Sequence, residues 1–117
     1  MIVEDDANWR NLLAEALQMA GNTVTTADDG VQAIKQLGLN VYDVAIFDLN
    51  LPRLNGVEAI RRLRHTDPDL PILGITANND PTMTRAVIEA GANDVMLKPI
   101  GANEVIEIVA RYARQKP

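Results

Sequence analysis

Five times along this chain a short apolar run gives way to a stretch with helical spacing, and that alternation restricts the fold more than any other feature. Met1-Ile2-Val3, Thr23-Val24-Thr25-Thr26, Val44-Ala45-Ile46-Phe47-Asp48, Ile72-Leu73-Gly74-Ile75-Thr76 and Val95-Met96-Leu97 read as strands. The second is the most polar and is expected at an edge. Between them, a helix from about Ala7 to Ala20 carries Leu13, Ala16, Leu17 and Ala20 on one stripe, with Gly21 placed to stop it. A turn at Asp28-Asp29-Gly30 opens a second helix, with Ala33, Ile34 and Leu37 inward and Gly38 closing it. Asn55-Gly56 begins a third, with Val57, Ile60 and Leu63 inward and Glu58 and Arg62 spaced as an ion pair. Pro81 starts a fourth that ends before Gly91, and a last helix from about Ala102 to Arg114 buries Val105, Ile106, Val109 and Ala113. Strands alternating with helices in this way predict right-handed crossovers and an all-parallel sheet. Five units are too few to close an eight-stranded barrel, so the α/β sheet stays open and doubly wound.

The central strand shows where such a sheet does chemistry. Val44 to Phe47 is apolar without alternation, as in a strand covered on both faces, and it stops on the carboxylate of Asp48, with Pro52 soon after. Ligands of open parallel sheets bind beyond the carboxyl ends of the strands, and all those ends share one edge. Glu4-Asp5-Asp6, Asp48, Thr76 and Lys98, far apart in sequence, are therefore expected to converge. Carboxylates brought within about 4–6 Å repel by a few kcal/mol at an effective dielectric of ~20, so a cation must join them or one must hold a proton. Every candidate ligand is an oxygen, which selects a hard ion, and Mg2+ fits best. A hydroxyl at Thr76 and a cation at Lys98 suit a phosphoryl group, and the Lys98-Pro99 bond is a candidate for the cis form. Asp6, Asp28 and Asp29 are read as solvated loop residues, and His65 as a charge at a helix C-terminus.

Other chemistries find no support. The chain of 117 residues has room for one core, and its formal charge of −5 argues against a nucleic-acid module, which needs a basic stripe. It contains no cysteine, so it has neither disulfides nor thiol chemistry, as suits a reducing cytoplasm. No apolar run reaches membrane-spanning length, and neither a glycine-rich phosphate loop nor a Ser-His-Asp or Cys-His set is present. Because the chain opens inside a strand, it is expected to lack a residue or two of its natural start or to come from a longer protein.

Taken in order, Val3-Glu4-Asp5-Asp6, Asp48-Leu49-Asn50-Leu51-Pro52 with Gly56, Ile75-Thr76-Ala77, and Ala90-Gly91-Ala92 leading to Lys98-Pro99 resemble the CheY-like response-regulator receiver domain of two-component signalling. The resemblance covers essentially the whole chain, residues 1–117, as one receiver domain. It implies a flavodoxin-like fold with strand order 2-1-3-4-5, and Asp48 as phosphoryl acceptor from a histidine kinase or histidine phosphotransfer domain. It also implies Mg2+ held by Glu4, Asp5, Asp48 and the carbonyl of Asn50, Thr76 as switch hydroxyl, Lys98 on the phosphoryl group, and a cis Lys98-Pro99 bond. Such a domain is a signalling phosphoprotein of a phosphorelay, not an enzyme in the ordinary sense. The alternative from the enzyme class, a Mg2+-dependent phosphohydrolase with an aspartyl nucleophile, normally wants an acid two residues after the nucleophile, where this chain has Asn50.

The chain departs from the family at Val95, where an aromatic is usual, so ring rotation is not its readout. Asn50 and Asn78 occupy positions that in the family flank the path of a hydrolytic water, and two small amides there predict a fairly short-lived phosphoryl group. Ile108 and Tyr112 are read as the edge of the core, with a homodimer or partner patch on the last helix as the other use of the same residues. Trp9 either packs or docks a histidine-bearing helix.

Overall fold

The computed structural model describes residues 1–49, 56–77 and 80–114. Along them five strands and five helices alternate: β1 (Ile2–Val3), α1 (Ala7–Met19), β2 (Thr26–Ala27), α2 (Gly30–Leu39), β3 (Ala45–Asp48), α3 (Gly56–Thr66), β4 (Ile72–Thr76), α4 (Pro81–Ala90), β5 (Asp94–Leu97) and α5 (Ala102–Arg114). All adjacent strands are parallel, in the order β2-β1-β3-β4-β5. This is the doubly wound sheet that the alternation predicted.

Side chains alternate across the sheet, so the strands feed two cores. Ile2, Ile46, Leu73, Ile75 and Met96 face α1 and α5, where they meet Leu13, Leu17, Val105 and Val109. Val3, Ala45, Phe47 and Ile72 face the other way, against Ala33 of α2, Ala59, Ile60 and Leu63 of α3, and Val87 of α4. Phe47 is fully buried. A central strand clamped on both faces holds its last residue, Asp48, in a fixed place.

The element ends differ in small ways from the sequence expectation. β2 forms its ladder only at Thr26–Ala27, although the Thr25 carbonyl already accepts the Ile2 N–H at 2.9 Å. α2 continues through Gly38 and closes at Asn40, whose N–H reaches the Gln36 carbonyl. A glycine inside a helix is tolerated, and Gly38 keeps a negative φ. Gly91, with φ +127°, does end α4 as expected. Gly56 is required for a different reason, since a Cβ there would lie 3.0 Å from the Leu49 carbonyl oxygen beside Asp48.

One tether was not foreseen. The Arg64 guanidinium donates to the carbonyls of Asp67, Pro68 and Gly91 and to Asn93 Oδ1, at 2.7–3.2 Å. Asn93 Oδ1 also accepts the Ile72 N–H at 2.9 Å. The starts of β4 and β5 and the end of α3 are thus joined at the sheet edge away from Asp48.

Candidate functional site

Parallel strands bring their C-terminal ends to one edge, and the predicted residues meet there. Glu4 follows β1, Asp48 closes β3, Thr76 closes β4 and Lys98 follows β5. One carboxylate oxygen each from Glu4, Asp5 and Asp48 lies within 4.8 Å of the others. Lys98 Nζ stands 3.2 Å from Asp48 Oδ2 and 3.9 Å from Glu4 Oε2. The Lys98 N–H donates to the Thr76 carbonyl at 2.7 Å, and the Lys98-Pro99 peptide is cis, as expected. Glu4, Asp48 and Thr76 are buried, whereas Asp5 faces solvent.

Burial dictates the electrostatics. The Glu4 carboxyl is pushed up to about 7, first by loss of water and then by the neighbouring Asp48 carboxylate; the Asp6 N–H and Lys98 oppose the shift without cancelling it. Three carboxylates against one ammonium leave a surplus of negative charge in an all-oxygen site. Such a donor set fits a hard divalent cation, and Glu4, Asp5 and Asp48 could hold one. A cavity of about 520 Å³ lies at the opposite edge, lined by residues such as Met1, Leu17, Val24, Val44 and Val109. It has no comparable grouping of acids.

The remaining expectations sort by what each side chain touches. Asn50 and Asn78 fall outside the described residues, as does Asn55. Asp6 is exposed but caps α1, accepting from the N–H groups of Asn8 and Trp9. Asp29 corrects the sequence reading: it is buried, and its carboxylate caps α2 by accepting the Gln32 N–H at 2.9 Å. The Asp-Asp-Gly turn carried that signal, because a carboxylate just before a helix start is a cap before it is a loop residue. Asp28 remains exposed, yet it is paired with Arg10 at 2.7 Å, a partner that no local spacing indicates.

His65 lies in the last turn of α3, as expected. Trp9 is half-buried and packs against the α1/α5 core, which favours its packing role. Ile108 and Tyr112 are half-buried against the same core, as the core-edge reading has it. Val95 packs half-buried against the opposite core, together with Met83.

A five-stranded parallel sheet with this order and with acids, a threonine and a lysine at its carboxyl edge defines a receiver. The chain belongs to that family: the response regulator receiver domain pattern matches residues 1–110. It is 37% identical over 118 aligned positions to a response regulator MprA from Mycobacterium leprae, covering 100% of this chain and 52% of that protein. To MprA from Mycobacterium ulcerans it is 38% identical over 106 residues, covering 91% of this chain and 46% of the relative. The chain thus spans about half the length of these relatives. Among solved structures, a response regulator from Chloroflexus aurantiacus superposes with a TM-score of 0.88 at 34% identity, covering 97% of this chain and 95% of that one. A CheY-like receiver from Methanospirillum hungatei matches the fold with a TM-score of 0.93 at 20% identity, over 97% and 91% of the two chains. Among the described residues no helix is long and apolar enough to cross a membrane.

Proposed function

We propose that residues 1–117 form one receiver domain in which Asp48 accepts a phosphoryl group from a phosphohistidine of a histidine kinase or histidine phosphotransfer domain. Glu4, Asp5, Asp48 and, by sequence, the carbonyl of Asn50 hold Mg2+ for the transfer. The observation that supports this most is the meeting of three carboxylates within 4.8 Å, with Lys98 3.2 Å from Asp48, at the carboxyl edge of the sheet. The sequence reading against nucleic acid applies to this domain alone, since the relatives are about twice as long.

A carboxylate oxygen of Asp48 forms the new O–P bond as the P–N bond to the imidazole breaks, and the electron pair of that bond stays on the ring nitrogen. Mg2+ held by these acids would supply positive charge to offset that of the phosphoryl group and of the carboxylates. Lys98 holds Asp48 in position before transfer and lies within reach of the added charge afterwards. Thr76, buried at the end of the neighbouring strand, offers its hydroxyl to a phosphoryl oxygen. The modification puts a group of roughly −1.5 to −2 charges where the carboxylate carried one, with three acceptor oxygens, in a site already rich in carboxylates, so the α4, β5 and α5 face must adjust to it. Val95 and Met83 share one core cluster, and their repacking takes the place of a turning ring. Loss of the group to water returns the domain to its resting form.

Incubation with phosphoramidate and Mg2+ tests this. Wild type is expected to gain the mass of one phosphoryl group, and Asp48→Ala none. Label persisting in Asp48→Ala would refute the assignment.

A further inference from the structure

Arg10 stands beside the acidic site but takes no part in the proposed transfer. Its side chain is only 18% exposed, and Nη1 donates to the Glu4 carbonyl at 3.2 Å and to Asp28 Oδ1 at 2.7 Å. A permanent positive charge is therefore held at the backbone of one of the three clustered acids. Asp28 is itself fixed from below, because its N–H donates to Gln32 Oε1 at 3.1 Å while the Gln32 N–H donates to Asp29. The nearby Asp6 carboxylate already accepts two helix N–H groups. A guanidinium freed from Asp28 would find its strongest attraction in the surplus negative charge of Glu4 and Asp5, the same charge a divalent cation needs.

We propose that Asp28 is a positioning residue that holds Arg10 off the Glu4, Asp5 and Asp48 carboxylates and so keeps them open to a divalent cation. The inference rests on the reading of those acids as a Mg2+ site. Arg10 lies in the first turn of α1 and Asp28 in the turn after β2, so the latch also joins the two segments that border the site on this side. Removing Asp28 leaves a mobile competitor for the acids, whereas removing both residues leaves none. That difference separates a charge latch from a purely structural contact, whose loss would harm both variants alike.

Mg2+ titration of the whole chain by calorimetry, with urea midpoints measured in parallel without metal, provides the test. Asp28→Ala is expected to weaken Mg2+ binding about tenfold, equivalent to about 1.4 kcal/mol. Asp28→Glu, which keeps the charge, and the double variant Arg10→Ala with Asp28→Ala are each expected within about twofold of wild type. Wild-type affinity in Asp28→Ala, or a double variant as weak as Asp28→Ala, would overturn the latch while leaving the metal site standing. A wild-type chain that binds no Mg2+ would overturn both.

Discussion

A carboxyl that titrates near neutrality inside the fold makes stability depend on pH in a direction opposite to ordinary acid unfolding. Glu4 has a pKa of about 7 in the folded protein against 4.5 for the free side chain. Between those values the folded protein keeps a proton that the unfolded chain releases, so the stability associated with Glu4 falls as pH rises from 4.5 to 7 and is constant above. At 1.36 kcal/mol per unit the full shift corresponds to about 3 kcal/mol, and a loss of about 1–3 kcal/mol is expected across the window. Glu4→Gln keeps the shape and removes the proton. Urea unfolding in EDTA at several pH values, taken as the difference between this variant and wild type, isolates the effect. The buried Met1 amine, lowered to about 6 by loss of water, contributes a slope of opposite sign between about 6 and 8, but both proteins share it and it cancels. The variant should gain on wild type steadily from pH 4.5 to 7 and then hold its advantage. A difference that is flat, or that shrinks with rising pH, would refute the account of Glu4 as a carboxyl crowded by burial and Asp48.

Other substitutions probe the rest of the framework. Lys98→Met removes the ammonium that stands 3.2 Å from Asp48 and 3.9 Å from Glu4, and should lower stability at pH 8 by about 1–3 kcal/mol in metal-free buffer, with part recovered on adding Mg2+. An unchanged urea midpoint without metal would show that the ammonium does not offset these acids. Arg64→Ala releases three carbonyls and Asn93 from one guanidinium and should cost about 2 kcal/mol, with hydrogen exchange rising at the turn between α4 and β5. Gly91→Ala places a Cβ 2.9 Å from Arg64 Cγ at a φ of +127°, so its cost by urea unfolding should be smaller in the Arg64→Ala background, where the Cγ and Nε contacts are gone and the backbone strain and the 3.0 Å approach to the Cβ of residue 64 remain.

Much of this architecture was legible because burial writes itself into periodicity. Ala45, Ile46 and Phe47 had to be covered on both faces, and a parallel sheet then carries Asp48, Thr76 and Lys98 to one edge whatever their distance along the chain. The unread parts share a physical cause, which is that polar contacts leave no repeating mark. Asp28 and Arg10 are separated by 18 positions, and Arg64 meets Gly91 across 27, so only the folded chain pairs them. Asp29 resembled a solvated loop acid because its sequence neighbours are polar, although the helix start beside it required an acceptor and buried the one at hand. Glu4 shows the same limit in its chemistry. Its type and place were evident from the end of the first strand, but whether it holds a proton near pH 7 depends on its distance from Asp48 and Lys98. Those distances arise only when β1, β3 and β5 lie in one sheet, with β4 between the last two.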